Sequence, residues 1–122
     1  MIRTITAGAL LAAAVSVSAF AADPAAGQKV FKSQCSICHS VAQGKNMTGP
    51  SLFGIVGRPA GTVEGFHYSA ANKKSGLTWD EATLEKYLPN PKAAVPGTSM
   101  TYPGLKNDAQ RADLIAYLAT LH

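Results

Sequence analysis

Cys35-Ser36-Ile37-Cys38-His39 is the stretch on which the reading of this chain turns. Two thiols at this spacing, followed at once by an imidazole, form the attachment pattern of a c-type haem. The thiols add across the two vinyl groups of the porphyrin, so their separation must match that of the vinyls. The next residue then lies beneath the iron, where a ring nitrogen of His39 serves as proximal ligand. Other chemistries use paired cysteines, and the surrounding sequence argues against them. A redox dithiol belongs in a thioredoxin-like βαβ frame, and no strand alternation is present. A zinc site needs further ligands, and the remaining histidines, His67 and His122, stand alone.

Upstream of the motif, the chain opens with the marks of export. Met1 to Thr4 carries one charge, Arg3, and an apolar run from about Ile5 to Val17 follows. Ala19-Phe20-Ala21 then offers small residues at the positions a signal peptidase reads. These features predict a signal peptide over residues 1–21, with cleavage after Ala21 and Ala22 as the alternative. The competing reading, an uncleaved anchor, is disfavoured because the run falls short of the roughly 20 apolar residues a spanning helix needs. Residues 22–122 remain as one domain, carrying ten Lys+Arg against seven Asp+Glu. That mild basicity, without a basic run longer than Lys73-Lys74, excludes a nucleic-acid binder. A chain this short and rich in loops buries little surface by itself, so a cofactor is expected to complete its core.

Downstream, short helices are expected between irregular connections. Asp23 as N-cap and Pro24 at the first helical position open a helix to Gln34. Ser69 to Lys74 is a short helix. Thr78 with Glu81 reads as a capping box opening a helix to about Leu88, which Pro89 and Pro91 end. Asn107 with Gln110 opens the last helix, Asp108 to Leu121, whose Leu114, Ile115, Leu118 and Leu121 fall on one face. The fold class is therefore all-α, a ring of short helices and straps around a flat group. Within the Thr48-Gly49-Pro50 turn, a backbone carbonyl is placed to accept the second imidazole N–H of His39 and fix its tautomer. Candidates for a sixth iron ligand are Met47, Met100, His67 and His122. Met47 sits beside the turn placed on the proximal side, His67 reads as exposed, and His122 is terminal. Met100 lies in the Pro96–Gly104 strap ahead of the last helix, and its position favours it as the ligand.

These residues together resemble the class I cytochromes c, in particular the bacterial periplasmic members similar to mitochondrial cytochrome c. The likeness spans about Gly27 to Leu121. Besides the haem motif it includes Gly54-Ile55-Val56-Gly57-Arg58, Tyr68 to Lys73, Gly76-Leu77-Thr78-Trp79, Tyr87 to Lys92, Pro96 to Met100 and Asp113 to Leu118. The resemblance implies a small cytochrome c fold with one haem c bound covalently through Cys35 and Cys38. It implies His39 and Met100 as axial metal ligands, with the Pro50 carbonyl orienting His39. Arg58, Tyr68 and Trp79 are implied at the haem propionates, and Asn72, Tyr87 and Thr98 in a polar network near Met100. Gly27 and Phe31 are implied to pack beside Leu114 and Tyr117 where the first helix meets the last. Lys29, Lys92 and Lys106 occupy positions where relatives ring the haem edge with lysines, whereas Gln34, Met47 and Ser99 replace others, and Tyr102 stands where many relatives have phenylalanine.

The function so implied is electron transport without catalysis: a monomeric, soluble one-electron carrier of the periplasm, working in a respiratory or photosynthetic chain. Its transient partners would be a cytochrome bc complex, a terminal oxidase, a photosynthetic reaction centre or a periplasmic dehydrogenase. A peroxidase-like enzyme or a gas-binding sensor would require an open or easily vacated sixth position. One haem motif and no further domain disfavour multi-haem enzymes and sensors.

Overall fold

The computed structural model describes Gly8, Ala9 and residues 21–122; the expected signal segment falls almost wholly outside the described residues. Among the described residues five helices follow in order: α1 (Pro24–Gln34), α2 (Ala70–Lys74), α3 (Glu81–Tyr87), α4 (Pro91–Ala94) and α5 (Asp108–Leu118). Among the described residues the sole β pairing is an isolated antiparallel bridge between Pro59 and Thr78. No helix among them is long and apolar enough to cross a membrane.

Contact between α1 and α5 organises the fold. Asp23 caps α1 by accepting from the Ala25 amide at 2.9 Å, with Pro24 in the first turn. Its own backbone N–H donates to Asp113 Oδ1 at 2.8 Å, which ties the start of α1 to α5. At Gly27 the helices meet so closely that a Cβ would overlap the Asp113 carbonyl and lie 2.8 Å from Tyr117 Cβ. One turn on, Phe31 and Tyr117 stack with tilted rings 5.9 Å apart. Leu114, only 1 % exposed, fills the space between them and the rest of the core. Asn107 caps α5 through the Gln110 amide at 2.9 Å, as the sequence predicts.

Three helix boundaries differ from expectation. Asp80, not Thr78, caps α3, accepting from the Thr83 amide at 2.7 Å. Thr78 is held extended by its bridge to Pro59 and by the neighbouring Trp79 N–H donating to the Arg58 carbonyl at 2.9 Å, so the helix starts later. Pro91 does more than end a helix. It occupies the first turn of α4, whose N-cap Asn90 accepts from Ala93, because a proline at that position forfeits an N–H that has no helical partner anyway. Helix α5 stops at Leu118, and half-buried Leu121 instead accepts from the Gly54 amide through its carbonyl.

One buried cation joins α3 and α5 to the chain just beyond the Pro96–Gly104 strap. Arg111 pairs with Glu85 at 2.6 Å and Asp108 at 2.7 Å, and donates to the Leu105 carbonyl at 3.1 Å. The strap itself, between α4 and α5, follows the buried α4 C-cap Val95 (2 % exposed) and is turned back at Gly104. There φ is +126° and a Cβ would overlap the Pro89 carbonyl, so only glycine permits this return.

Candidate haem site

Helices α1, α3 and α5 and the strap enclose a cavity of about 410 Å³. It lies within the roughly 300–1,000 Å³ typical of cofactor sites. Cys35, Cys38, His39 and Met100 all line it, although the last two stand far apart in sequence. Met47, His67 and His122 do not; Met47 is 42 % exposed, and the other two are exposed as well. Of the four candidates for a sixth ligand, only Met100 therefore reaches the cavity.

The cysteine end is built by the close of α1. Cys35 is its C-cap, its N–H donating to the Phe31 carbonyl at 2.8 Å, and the chain then turns so that His39 N–H donates to the Cys35 carbonyl at 2.9 Å. Both thiols are free and partly buried. Burial first, and then the neighbouring Cys38, push the Cys35 thiol up to about 11. Among the described residues no group of three or more His, Cys, Asp or Glu side chains is placed to hold a metal ion.

His39 is a partly buried imidazole whose orientation is fixed by the Pro50 carbonyl. Burial, the largest influence, lowers its pKa and keeps the ring neutral; the Pro50 bond opposes this, and the charge of Arg58 adds to it. Its Nδ1 lies 2.8 Å from the Pro50 carbonyl, which can only accept, so Nδ1 carries the proton and Nε2 keeps its lone pair. Gly49 makes this placement possible, since a Cβ there would lie 2.6 Å from Nδ1 and 2.9 Å from Nε2.

Around Met100 the expected polar network is present in large part. Tyr87 Oη donates to Met100 Sδ at 3.1 Å, and the Met100 amide donates to Thr98 Oγ1 at 3.2 Å. Burial pushes the Tyr87 phenol up to about 12, partly offset by Thr98, so it remains a donor across the physiological range. Asn72 lines the same cavity, and among the described residues its buried Oδ1 has no partner. A buried acceptor left alone calls for a group or water inside the cavity.

The residues fit a haem. Leu52, Ile55, Leu84, Leu88, Leu114 and Leu118 supply an apolar wall suited to a flat macrocycle. Arg58 supplies charge for its acidic edge. Its guanidinium donates to the Phe53 and Ser51 carbonyls at 3.1 and 3.0 Å, and among the described residues no carboxylate pairs with it. Tyr68 Oη accepts from the Val63 amide at 2.9 Å, leaving its hydroxyl proton free to donate. Trp79 lines the cavity beside them and packs on Tyr87 with ring centroids 4.6 Å apart. Reasoning from sequence missed Ser51, 3 % exposed, whose hydroxyl donates to the Ala42 carbonyl and accepts from the Phe53 amide. It also missed Asn46, which accepts from the Ser51 amide at 2.9 Å and donates to the Glu64 carbonyl at 3.3 Å, joining two loops. Neither position carries a signal in the sequence beyond its polarity.

An all-α shell with paired cysteines and a neutral histidine in one apolar cavity defines a covalent-haem electron-transfer protein. The profile of the family described as Cytochrome c matches residues 24–122. The chain belongs to the cytochrome c family. It is 60 % identical over 109 residues to cytochrome c2 of Rhodomicrobium vannielii, covering 88 % of this chain and 86 % of that one. It is 57 % identical over 100 residues to cytochrome c2 of Rhodoblastus acidophilus, covering 81 % and 92 %. Among solved structures it resembles cytochrome cH from Methylobacterium extorquens, with a TM-score of 0.76 and 48 % identity over 80 % of this chain and 98 % of that one. As a member of this family it is an electron carrier rather than an enzyme, holds haem c covalently through its two cysteines, and shuttles electrons between partner complexes.

Proposed function

We propose that His39 and Met100 are the axial ligands of a haem attached through Cys35 and Cys38. In this reading residues 1–21 are removed on export, and residues 22–122 act as a monomer in the periplasm. The carrier links a quinol-oxidising cytochrome bc complex or a periplasmic dehydrogenase to a terminal oxidase or photosynthetic reaction centre. The observation that supports the ligand assignment is the meeting of Cys35, Cys38, His39 and Met100 in one cavity that Met47, His67 and His122 do not line.

When bound, the haem supplies a ferric–ferrous couple whose potential is raised by Met/His ligation. The chain's own residues set the conditions for it. His39 presents Nε2 while Pro50 holds the Nδ1 proton. Tyr87 bonds the Met100 sulfur, leaving the sulfur its other lone pair for the metal. The leucine and isoleucine wall excludes water and disfavours the extra positive charge of the oxidised state. Capped helices and a strap closed at Gly104 hold the ligands in one arrangement in both states, which limits reorganisation.

Lys29, Lys92 and Lys106 are exposed, and the Lys106 ammonium also donates to the Pro89 carbonyl. Charge of this kind acts mainly on association rate. Stopped-flow reduction by a cytochrome bc complex, followed by oxidation by a terminal oxidase, is expected to slow several-fold as salt shortens the Debye length from about 30 to 3 Å. Rates indifferent to salt would point instead to apolar docking through Met47 and Tyr102. Failure to exchange electrons with either complex would contradict the proposed place in the chain.

A further inference from the structure

We propose that Tyr102 and Gln34 form a latch that holds the Met100 strap closed over the haem cavity. Tyr102 is then a positioning residue for the sixth ligand, and the proposal rests on the assignment of Met100 above. Tyr102 Oη donates to Gln34 Oε1 at 3.1 Å across a separation of 68 residues, and both side chains line the cavity.

The strap depends on such contacts because its main chain supplies few. At its start the Thr98 amide donates to the Val95 carbonyl at 3.0 Å, and beyond its end the Leu105 amide donates to the Leu88 carbonyl at 2.8 Å. Among the described residues, no main-chain group from Ser99 to Gly104 bonds another main-chain group. The Met100 amide is satisfied by Thr98 within the same loop. Beyond that bond to Thr98, only two hydrogen bonds tether this stretch to the rest of the described residues: Tyr87 to Met100 Sδ, and Tyr102 to Gln34. A segment with so few backbone bonds opens locally at low free energy.

Location gives the second bond its role. Gln34 is the last residue of α1, directly before its C-cap Cys35, so the latch fixes the strap to the end of the helix that leads into the attachment cysteines. Tyr87 acts on the sulfur itself. Tyr102 acts two residues further along and so restrains the backbone that must swing away when the thioether leaves. Phenylalanine at this position keeps the ring and removes only the hydroxyl. Tyr102→Phe therefore isolates the hydrogen bond from the packing.

Imidazole binding to the ferric holoprotein reads the opening, because an external ligand enters only after Met100 departs. At saturating imidazole the observed rate becomes the strap-opening rate. Tyr102→Phe and Gln34→Leu are each expected to raise that rate by about three- to tenfold, the range of one neutral hydrogen bond. The double variant should be no faster than the faster single one, since both remove the same bond. Gln34→Glu keeps an acceptor for the phenol and should stay within about twofold of the wild type. Unchanged rates in Tyr102→Phe and Gln34→Leu, or effects that multiply in the double variant, would overturn the latch. The wild-type ferric spectrum separates the two readings. If it lacks the weak long-wavelength sulfur–iron band, the Met100 assignment fails and the latch with it. If the band is present and the rates do not move, the latch alone fails.

Discussion

Met100→Ala abolishes the weak long-wavelength band of the ferric protein, lowers its reduction potential and opens the iron to carbon monoxide and peroxide. That is the expected result, and it follows from what holds Met100 in place. The side chain lines the cavity, its sulfur accepts from Tyr87 at 3.1 Å, and its amide is tied to Thr98. Among the described residues, no other methionine and no histidine but His39 lines that cavity. Alanine therefore leaves the sixth position to water. The potential should fall by on the order of 0.1–0.3 V, a fraction of the roughly 0.8 V that axial ligands command. Met47→Ala is the control, since Met47 is 42 % exposed and does not line the cavity; all three properties should stay nearly as in the wild type. Visible spectroscopy, redox titration and carbon monoxide binding provide the readouts. A wild-type ferrous protein that binds carbon monoxide readily at neutral pH would contradict the closed site and favour a sensor or enzyme.

Removal of the haem is expected to unfold the chain. The cavity of about 410 Å³ is lined by Leu84, Leu88, Leu114 and Leu118, residues that otherwise form the core. Without haem these side chains face a water-filled space, and the roughly 25 cal/mol per Å² that burial of apolar surface supplies is lost there. An ordinary domain is stable by only roughly 5–15 kcal/mol, so a small chain has little margin for that loss. The helices cannot compensate, because the longest have 11 residues and isolated helices of that length are marginal in water. Circular dichroism of the apoprotein should show little of the native helix and no cooperative thermal transition. A fully helical apoprotein that melts cooperatively would refute the dependence on haem.

How much of this was legible in the sequence depended on how locally each feature is determined. The cysteines and His39 could be read because covalent chemistry fixes their spacing. Asp23 with Pro24 and Asn107 with Gln110 could be read because a cap and its target lie within one turn. Thr78 looked equally like a cap and is not one, since its competitor is the distant Pro59, which pulls it into an extended bridge. Pro91 looked like a terminator, and the single turn it starts is too short for any periodicity to announce. Met100 was favoured by its position in the strap, but its bond to Tyr87 appears only when α3 and the strap are brought together. Asn46, Ser51 and the Gln34–Tyr102 pair were out of reach for the same reason, because each closes a loop through side-chain tips with no local pattern.

The central claim is that haem is bound covalently at Cys35 and Cys38, and mass spectrometry of the denatured, trypsin-digested protein tests it most directly. The informative peptide runs from Ser33 to Lys45, between the cleavage sites at Lys32 and Lys45, and contains both cysteines and His39. It should carry the mass of one haem, with no free haem released by acid–acetone, and the intact chain should begin at Ala22 or Asp23. A haem-free peptide bearing a Cys35–Cys38 disulfide, with the haem recovered in the organic phase, would contradict the account.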